Sequence, residues 1–412
     1  MNFSKEMKTK KPELLIPAGN LEKMRTAVLY GADAVYIGVS GLSLRAQSAE
    51  MSLADLTNGV LEAHAKGVKV YAAVNTFARN ADLEQAHRII PELAAIPVDA
   101  VIVSDPGMIR LIKSLAPQLP IHLSTQANTT NAEAVRFWQD QGVKRIVLAR
   151  ELTLRETGEI AKAVPEMELE LFVHGAMCMA YSGRCYLSAY RNQRSANEGD
   201  CTQACRWEYL LYESTRPTDP MVLQEDERYT YLLSSKDLCL IEHLPEVLAA
   251  GVVSLKIEGR MKSTHYVAVV ARTYRRALNT LMQNPDNYQC NPQWLAELKE
   301  ISHRGYTTGF AFSGEKINET SPGIKYIQTH ELAGTVLQYD PLQKMILVGV
   351  RNHLAAGDEV ELLLPDDTIP IDTRLMVDVS GKALKEANND NQIYLPFALE
   401  APIGAVLRQR VK

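Results

Sequence analysis

The sequence predicts a parallel β/α barrel followed by a small antiparallel β-barrel domain. Short, nearly all-apolar runs rich in β-branched residues recur through roughly the first 260 of the 412 residues, and amphipathic segments separate them. After Gly334 the pattern changes to short alternating strands. Apolar strands separated by helices imply a parallel sheet covered on both faces, and eight such strands in one domain fit a closed barrel.

Eight runs are the predicted barrel strands: 14–19, 34–38, 69–75, 100–105, 121–126, 145–150, 169–174 and 253–258. The segments between them are predicted to be helical, as in 21–30 and 56–66, where apolar side chains recur three and four positions apart. Four glycines stand between a predicted helix and the next strand and are predicted to end those helices: Gly31, Gly67, Gly142 and Gly251.

The chain divides into two predicted domains. Residues 1–330 form the barrel domain, with a cysteine-rich insertion at 177–228, and residues 331–412 form the C-terminal β-barrel domain. Four strands are predicted in the second domain: 334–337, 345–350, 359–364 and 405–407. The insertion follows the seventh predicted strand directly, so it should begin at the catalytic, C-terminal face of the barrel.

Composition limits the partners and the compartment. The net charge is -5 with a pI near 6.0, so the chain has no global attraction for nucleic acid and must use a local patch for any RNA contact. No stretch approaches the length of a membrane span, and the N-terminus has no apolar run of signal-peptide length. We therefore expect a cytoplasmic protein without a membrane partner.

Four of the six cysteines lie between positions 178 and 205, which favours a metal site over disulfides in a large cytoplasmic protein. They are Cys178, Cys185, Cys201 and Cys205. Four thiolates can hold zinc or an iron-sulfur cluster, and their spacing alone does not decide between the two. Cys239 is expected to be an ordinary buried cysteine.

Polar residues at the ends of the barrel strands are the candidate site residues, because a β/α barrel carries its active site at that face. The catalytic candidates are His174, Asp237, Lys256 and Glu258. The substrate-binding candidates are Asn75, Gln126, Arg150 and Arg260, together with Arg184 of the insertion. Guanidinium groups bind carboxylates bidentately, so Arg150, Arg184, Arg260 and also Lys256 suit a small dicarboxylic acid. For any one of these residues, a structural ion pair is an equally good interpretation.

The insertion also carries arginines beside aromatic residues. Arg184, Arg191, Arg194 and Arg206 are interleaved with or followed by Tyr186, Tyr190, Trp207 and Tyr209. Arginines next to aromatic rings suit an unstacked RNA base and its phosphates. A charged, solvated loop would have a similar composition, and the sequence leaves both interpretations open.

Several motifs resemble the collagenase-like peptidase family, peptidase family U32. They are ELFVHGAMCMAYSGRCYLS at 170–188, LIPAGN at 15–20, STQAN at 124–128, SKDL at 235–238, SLKIEGR at 254–260 and HRGYTTGF at 303–310. The stretch GDCTQACRWEY at 199–209 is similar to the tRNA-hydroxylating branch of that family. The resemblance covers nearly the whole chain.

The resemblance implies 5-hydroxyuridine formation at the wobble position of tRNA, with prephenate as co-substrate. It also implies an iron-sulfur cluster, of the 4Fe-4S type, on the four clustered cysteines. Two other functions stay open: a collagenase-like peptidase, as the family label says, and a noncatalytic RNA-binding protein with structural zinc. The chain has neither a Gly-x-Ser-x-Gly nor a His-Glu-x-x-His motif, and a cysteine committed to a metal is a poor nucleophile.

Overall fold

The eight predicted strands close into one parallel barrel. The computed structural model describes residues 11–43, 50–178, 180–194, 201–202, 204–206, 211–213, 216–221, 236–312 and 326–411. The barrel strands are β1 (Glu13–Pro17), β2 (Ala34–Val39), β3 (Lys69–Val74), β4 (Ala100–Val103), β5 (Ile121–Leu123), β6 (Arg145–Val147), β7 (Glu168–Ala176) and β8 (Ser254–Ile257). Each pairs in parallel with the next along the chain, and β8 also pairs with β1. The barrel prediction is confirmed.

Helices cover the outside of the barrel. They are α1 (Leu21–Leu29), α2 (Leu53–His64), α3 (Asn80–Ala94), α4 (Pro106–Leu115), α5 (Ala132–Asp140), α6 (Leu154–Ala163), α8 (Leu244–Ala249), α9 (Thr264–Gln283) and α10 (Pro292–Leu298), with α7 (Leu187–Asn192) in the insertion. Asn20 and Ser52 cap the first two helices with side-chain oxygens. The four predicted helix-ending glycines all have positive φ, as that role requires. None of the described helices has the length and apolar character that crossing a membrane would take.

Buried ionic groups fill the lumen at the amino ends of the strands. Lys256 of β8 donates to Glu170 of β7 over 2.7 Å, and Arg145 of β6 lies 3.3 Å from the same carboxylate. Arg145 also pairs with Glu13 and Glu168. Burial alone would raise the pKa of Glu170, but Lys256 and Arg145 hold it below its usual value. The lumen can bury these charges because each lies beside an opposite one.

The second domain is a curled antiparallel sheet. Its seven strands are His330–Asp340, Met345–Val350, Glu359–Leu363, Thr368–Asp372, Val377–Asp378, Gln392–Pro396 and Val406–Arg410, and a separate pair joins Leu354–Ala355 to Glu386–Ala387. Four of these strands correspond to predicted ones. The hydroxyl of Tyr30, at the end of α1, donates to Leu363 O over 2.6 Å and accepts from Val406 N over 3.0 Å. This sheet therefore packs directly on the helical layer of the barrel.

The cysteine-rich insertion contains more regular structure than the sequence suggested. It includes α7, a short 3-10 turn at Ala204–Arg206 and an antiparallel hairpin of Leu211–Glu213 with Arg216–Met221. Beyond it, the strand Asp237–Cys239 pairs antiparallel with the end of β7 and extends the sheet past the barrel. The insertion therefore leaves and re-enters the barrel beside β7.

Candidate active site

Polar side chains from separate strands meet at the carboxyl end of the barrel. Asn75 follows β3 and Gln126 follows β5, and the Asn75 amide donates to Gln126 Oε1 over 2.7 Å. Ser124 donates to the same oxygen over 3.1 Å, and Ser104, after β4, donates to the backbone oxygen of Asn75 over 3.2 Å. These four residues form one hydrogen-bonded side of the barrel mouth.

Arg150 links three strand ends on the opposite part of the ring. It follows β6, and its Nη2 lies 3.7 Å from Glu258 Oε2 after β8. Its Nη1 lies 3.8 Å from the sulfur of Cys178, the first clustered cysteine after β7. The guanidinium also stands 4.0 Å from the ring centroid of Phe172. At the mouth, the Arg150 cation therefore makes an ion pair with a carboxylate and a hydrogen bond to a thiol.

Two aromatic rings separate this mouth from the buried charges below. Lys256 Nζ lies 4.5 Å from the ring centroid of Tyr36 and 5.5 Å from that of Phe172. The guanidinium of Arg260, beyond the end of β8, lies 5.9 Å from Tyr36. Burial lowers the pKa of Lys256 and Glu170 opposes that shift, so the ammonium belongs to an internal ion pair. Lys256 thus lies under the floor of the mouth, and its predicted catalytic role stays a prediction.

A register shift in β7 turns His174 out of the lumen. Lys256 pairs with Phe172, but the next residue of β8 pairs with His174, so β7 carries one extra residue there. The imidazole packs against Tyr266 and Tyr274 of α9, with ring centroids 6.0 and 5.4 Å away. Burial lowers the pKa of His174 to about 3, which keeps the ring neutral at pH 7. His174 therefore lies on the outer face of the strand, apart from the mouth.

Asp237 belongs to the same outer cluster. Arg304 Nε donates to its carboxylate over 3.1 Å, and a second guanidinium nitrogen makes a closer contact. Both side chains are buried. The structure thus separates the four catalytic candidates: Glu258 is at the mouth, Lys256 is beneath it, and His174 and Asp237 are behind β7. Their catalytic roles remain predictions.

The insertion is anchored on the rim of the mouth. The backbone N–H of Ser182 donates to Glu151 Oε1 over 2.6 Å, and the Ser182 hydroxyl donates to Oε2 over 3.3 Å. Gly183 has φ +73°, and a Cβ on it would overlap the backbone oxygen of Gln126. Only a glycine lets the insertion approach the mouth this closely.

The clustered cysteines lie on this anchored segment. Cys178 and Cys201 are exposed, whereas Cys185 and Cys205 are half-buried. Ser188 and Thr202 are joined by two hydrogen bonds of 2.9 Å, which link the helix after Cys185 to the residue after Cys201. The described side chains do not form a ready group of three or more metal ligands. Four soft thiols on one segment nevertheless fit the donor set of an iron-sulfur cluster or of zinc.

The predicted RNA-binding arginines lie on the outer surface of the insertion. Arg184, Arg191 and Arg194 are exposed. Arg206 ends the 3-10 turn, and its side chain lies outside the described residues, as do Trp207 and Tyr209. The three described arginines thus face solvent, on the segment that Ser182 and Gly183 hold against the rim of the mouth.

Another cleft, of about 700 Å³, is lined by residues of the C-terminal sheet and its turns together with Glu300, which follows α10. Its Arg408 pairs with Glu300 and with Glu361, and its Arg410 lies 3.5 Å from Glu359. Carboxylates already occupy these arginines, so this cleft is less suited to an anionic substrate than the mouth and the insertion.

The sequence did not predict the two aromatic rings below the mouth, Tyr36 and Phe172, or the buried ion pairs in the lumen of the barrel. Tyr36 and Phe172 lie in two of the predicted strands, and the structure shows that the ring of each contacts two cations. A usable signal was Glu170, a carboxylate between two leucines near the start of the predicted strand 169–174. A charge at such a position requires a buried partner in the lumen.

Two family models together match nearly the whole chain, one over each domain. Residues 19–321 match the model of peptidase family U32, and residues 328–408 match that of the U32 C-terminal domain. The chain belongs to peptidase family U32. The resemblance inferred from the sequence motifs is confirmed.

Known proteins with different names are similar to this chain. It is 39% identical over 402 residues to tRNA hydroxylation protein P1 of Bacillus subtilis (strain 168), a match covering 97% of this chain and 94% of the relative. It is 38% identical over 444 residues to tRNA hydroxylation protein P of Escherichia coli (strain K12), covering 97% of each chain. A protein named collagenase, from Porphyromonas gingivalis (strain ATCC BAA-308 / W83), is 33% identical over 318 residues, covering 74% of this chain and 75% of the relative.

Proposed function

We propose that this U32 chain hydroxylates tRNA, forming 5-hydroxyuridine at the wobble position. The observation that carries the proposal is the anchored insertion, in which a segment bearing cysteines and arginines is held by Glu151 over a polar barrel mouth. Two relatives named tRNA hydroxylation proteins, each matched over 97% of this chain, support the same reaction class. A base must be unstacked to enter a barrel mouth, and an unpaired anticodon base meets that condition.

A small dicarboxylic acid, prephenate by family resemblance, is the proposed co-substrate. Arg150 and Arg260 bring guanidinium groups to the mouth, and exposed Arg184 follows the anchored Ser182 and Gly183 by one or two residues. Such groups hold carboxylates through paired hydrogen bonds. Lys256 contributes less to this binding than its sequence position suggests, because Glu170 already neutralises it.

An iron-sulfur cluster, of the 4Fe-4S type, is the proposed cofactor, and Cys178, Cys185, Cys201 and Cys205 are its proposed ligands. Thiolates are the usual protein ligands of such clusters. When bound, a cluster supplies redox-active iron, and the protein supplies its position. Arg150 lies 3.8 Å from the Cys178 sulfur and holds that side chain at the mouth, where the target base would enter.

Peptidase activity is the second candidate, because of the family label and the relative named collagenase. A cysteine peptidase needs a histidine within hydrogen-bonding reach of its nucleophile. His174 is close to Cys178 in sequence, but its ring is buried among tyrosines behind β7, while Cys178 is exposed and beside Arg150. This separation favours hydroxylation over thiol proteolysis.

The metal content of the purified protein distinguishes the hydroxylase from the third candidate, a noncatalytic RNA-binding protein with structural zinc. We expect anaerobic purification to give a brown protein containing iron and sulfide. Zinc without iron would contradict the cluster, and cleavage of gelatin by the purified protein would favour the peptidase. The nucleosides of tRNA from a strain lacking the gene test the hydroxylation itself.

A further inference from the structure

Three exposed tyrosines crowd one short part of the insertion. Tyr181, Tyr186 and Tyr190 are 65%, 71% and 74% exposed, and the next most exposed aromatic among the described residues is Phe137 at 55%. Large aromatic rings normally bury most of their surface. Three such rings within ten residues therefore indicate a surface that binds something flat and apolar.

The geometry of the rings suits stacking. Tyr190 N donates to Tyr186 O over 2.9 Å, so Tyr190 stands one helical turn after Tyr186 along α7. Their ring centroids are 6.4 Å apart with planes inclined by 40°. The short helix holds this pair side by side, and Tyr181 lies in the turn that leads to it, with Arg184 N donating to Tyr181 O over 2.9 Å.

The charge around the rings identifies the partner. Residues 180–194 contain three arginines and no acidic residue, within a chain whose net charge is -5. Exposed aromatic rings among cations match a single nucleic acid strand, whose bases stack on the rings while its phosphates meet the arginines. A fully paired duplex would present phosphates but no free base faces.

The position of the rings relative to the mouth completes the argument. Gly183, between Tyr181 and Tyr186 in sequence, touches the backbone of Gln126 at the mouth. We propose that Tyr181, Tyr186 and Tyr190 form a stacking platform for unpaired RNA bases that flank the base entering the barrel. This inference rests on the proposed RNA substrate and names the part of it that the chain recognises: an unpaired loop.

Binding to two synthetic RNAs tests the platform separately from catalysis. The probes are a hairpin with an unpaired loop and a fully paired duplex of the same composition. Replacing Tyr186 and Tyr190 together by leucine keeps apolar bulk but removes the stacking rings. We expect hairpin affinity to fall about ten-fold or more, with the slope of log affinity against log salt unchanged and duplex affinity unchanged.

Three control variants distinguish loss of base stacking from loss of phosphate contacts and from loss of any exposed ring. Replacing the same two tyrosines by phenylalanine keeps the rings and should retain hairpin affinity. Changing Phe137 to leucine removes an exposed ring from α5 and should have no effect. Changing Arg191 and Arg194 to alanine should lower the salt slope by roughly one unit for each lost phosphate contact, an effect the leucine pair does not share.

The platform is overturned if the leucine pair binds the hairpin as the unaltered protein does, or if the unaltered protein binds no hairpin. It is also overturned if the leucine pair weakens duplex and hairpin equally, or if the Phe137 variant weakens the hairpin as much. Circular dichroism and the thermal midpoint confirm that each variant is folded. Because no hydroxylation is measured, the platform can fail while the proposed reaction stands, and the reverse also holds.

Discussion

The backbone N–H of Ser182 donates a 2.6 Å hydrogen bond to the carboxylate of Glu151 and so fastens the cysteine-rich insertion to the barrel. The two residues are far apart in sequence: Glu151 follows β6, whereas Ser182 lies between Cys178 and Cys185. One carboxylate thereby fixes where the proposed cluster ligands stand relative to the mouth.

Changing Glu151 to alanine should therefore release the insertion locally without unfolding the barrel. The variant loses two hydrogen bonds to a carboxylate, and both of them hold the insertion rather than the barrel core. We expect faster amide hydrogen exchange in the insertion and a several-fold loss of tRNA hydroxylation. The E151Q variant keeps one acceptor oxygen, so its exchange rate and its activity should lie between those of E151A and those of the unaltered protein. Unchanged exchange at residues 180–194 in E151A would show that the insertion is held by other contacts.

Serine at Cys178, Cys185, Cys201 or Cys205 should abolish iron binding, because a hydroxyl is a harder and less acidic ligand than a thiol. Serine at Cys239 is the matched control. Burial raises the pKa of Cys239 to about 12, and its sulfur lies 3.8 Å from the Tyr274 hydroxyl, away from the insertion. Iron and sulfide analysis checks this. Loss of the chromophore in C239S together with its retention in C205S would mean that the fourth ligand is misassigned.

Changing Lys256 to methionine should destabilise the protein by about 3–5 kcal/mol, because the buried carboxylate of Glu170 would lose its nearest cation and keep Arg145, 3.3 Å away, and the Ser254 hydroxyl. The double variant K256M/E170Q removes the stranded charge and should recover much of that loss. Urea denaturation measures both. If the double variant regains stability but not activity, Lys256 has a catalytic role beyond its ion pair. Equal stability of K256M and the unaltered protein would contradict the buried pair.

Acid should destabilise the fold through its buried histidines. Burial lowers the pKa of His122, His174 and His265 to about 3 each, below the unfolded value of about 6.5. Between those two pKa values the unfolded chain binds more protons than the folded one. The contribution of these histidines to the free energy of unfolding therefore falls as pH drops below about 6.5 and is constant above it. Each histidine should contribute a loss of about 2 kcal/mol between pH 7 and pH 5. Between pH 7 and pH 5, we expect the free energy of unfolding of H174Q to fall by about 2 kcal/mol less than that of the unaltered protein, as measured by urea denaturation at each pH.

The barrel was predictable because its signal is local. Each of the eight strands is a short apolar run, and glycines such as Gly31 and Gly67 with positive φ mark where helices end. The C-terminal sheet was predicted less completely. Strands such as Thr368–Asp372 and Gln392–Pro396 are short and contain proline, so their pattern does not differ from that of loops.

The candidate site was predictable only as a set of strand ends. Asn75, Gln126, Arg150 and Glu258 come together at the mouth because parallel strands end on one face. His174 departs from that rule because a single extra residue in β7 reverses the face on which it lies. No sequence period reveals such a shift, since it exists only in the pairing of β7 with β8.

The content of 5-hydroxyuridine in tRNA, measured by mass spectrometry of its nucleosides, tests the central claim most directly. The gene would be deleted and then restored as the unaltered chain, as C205S or as C239S. The account predicts that the deletion and C205S strains lack the modified nucleoside, whereas the unaltered and C239S strains contain it. A deletion strain whose tRNA keeps its full level of 5-hydroxyuridine would contradict the account.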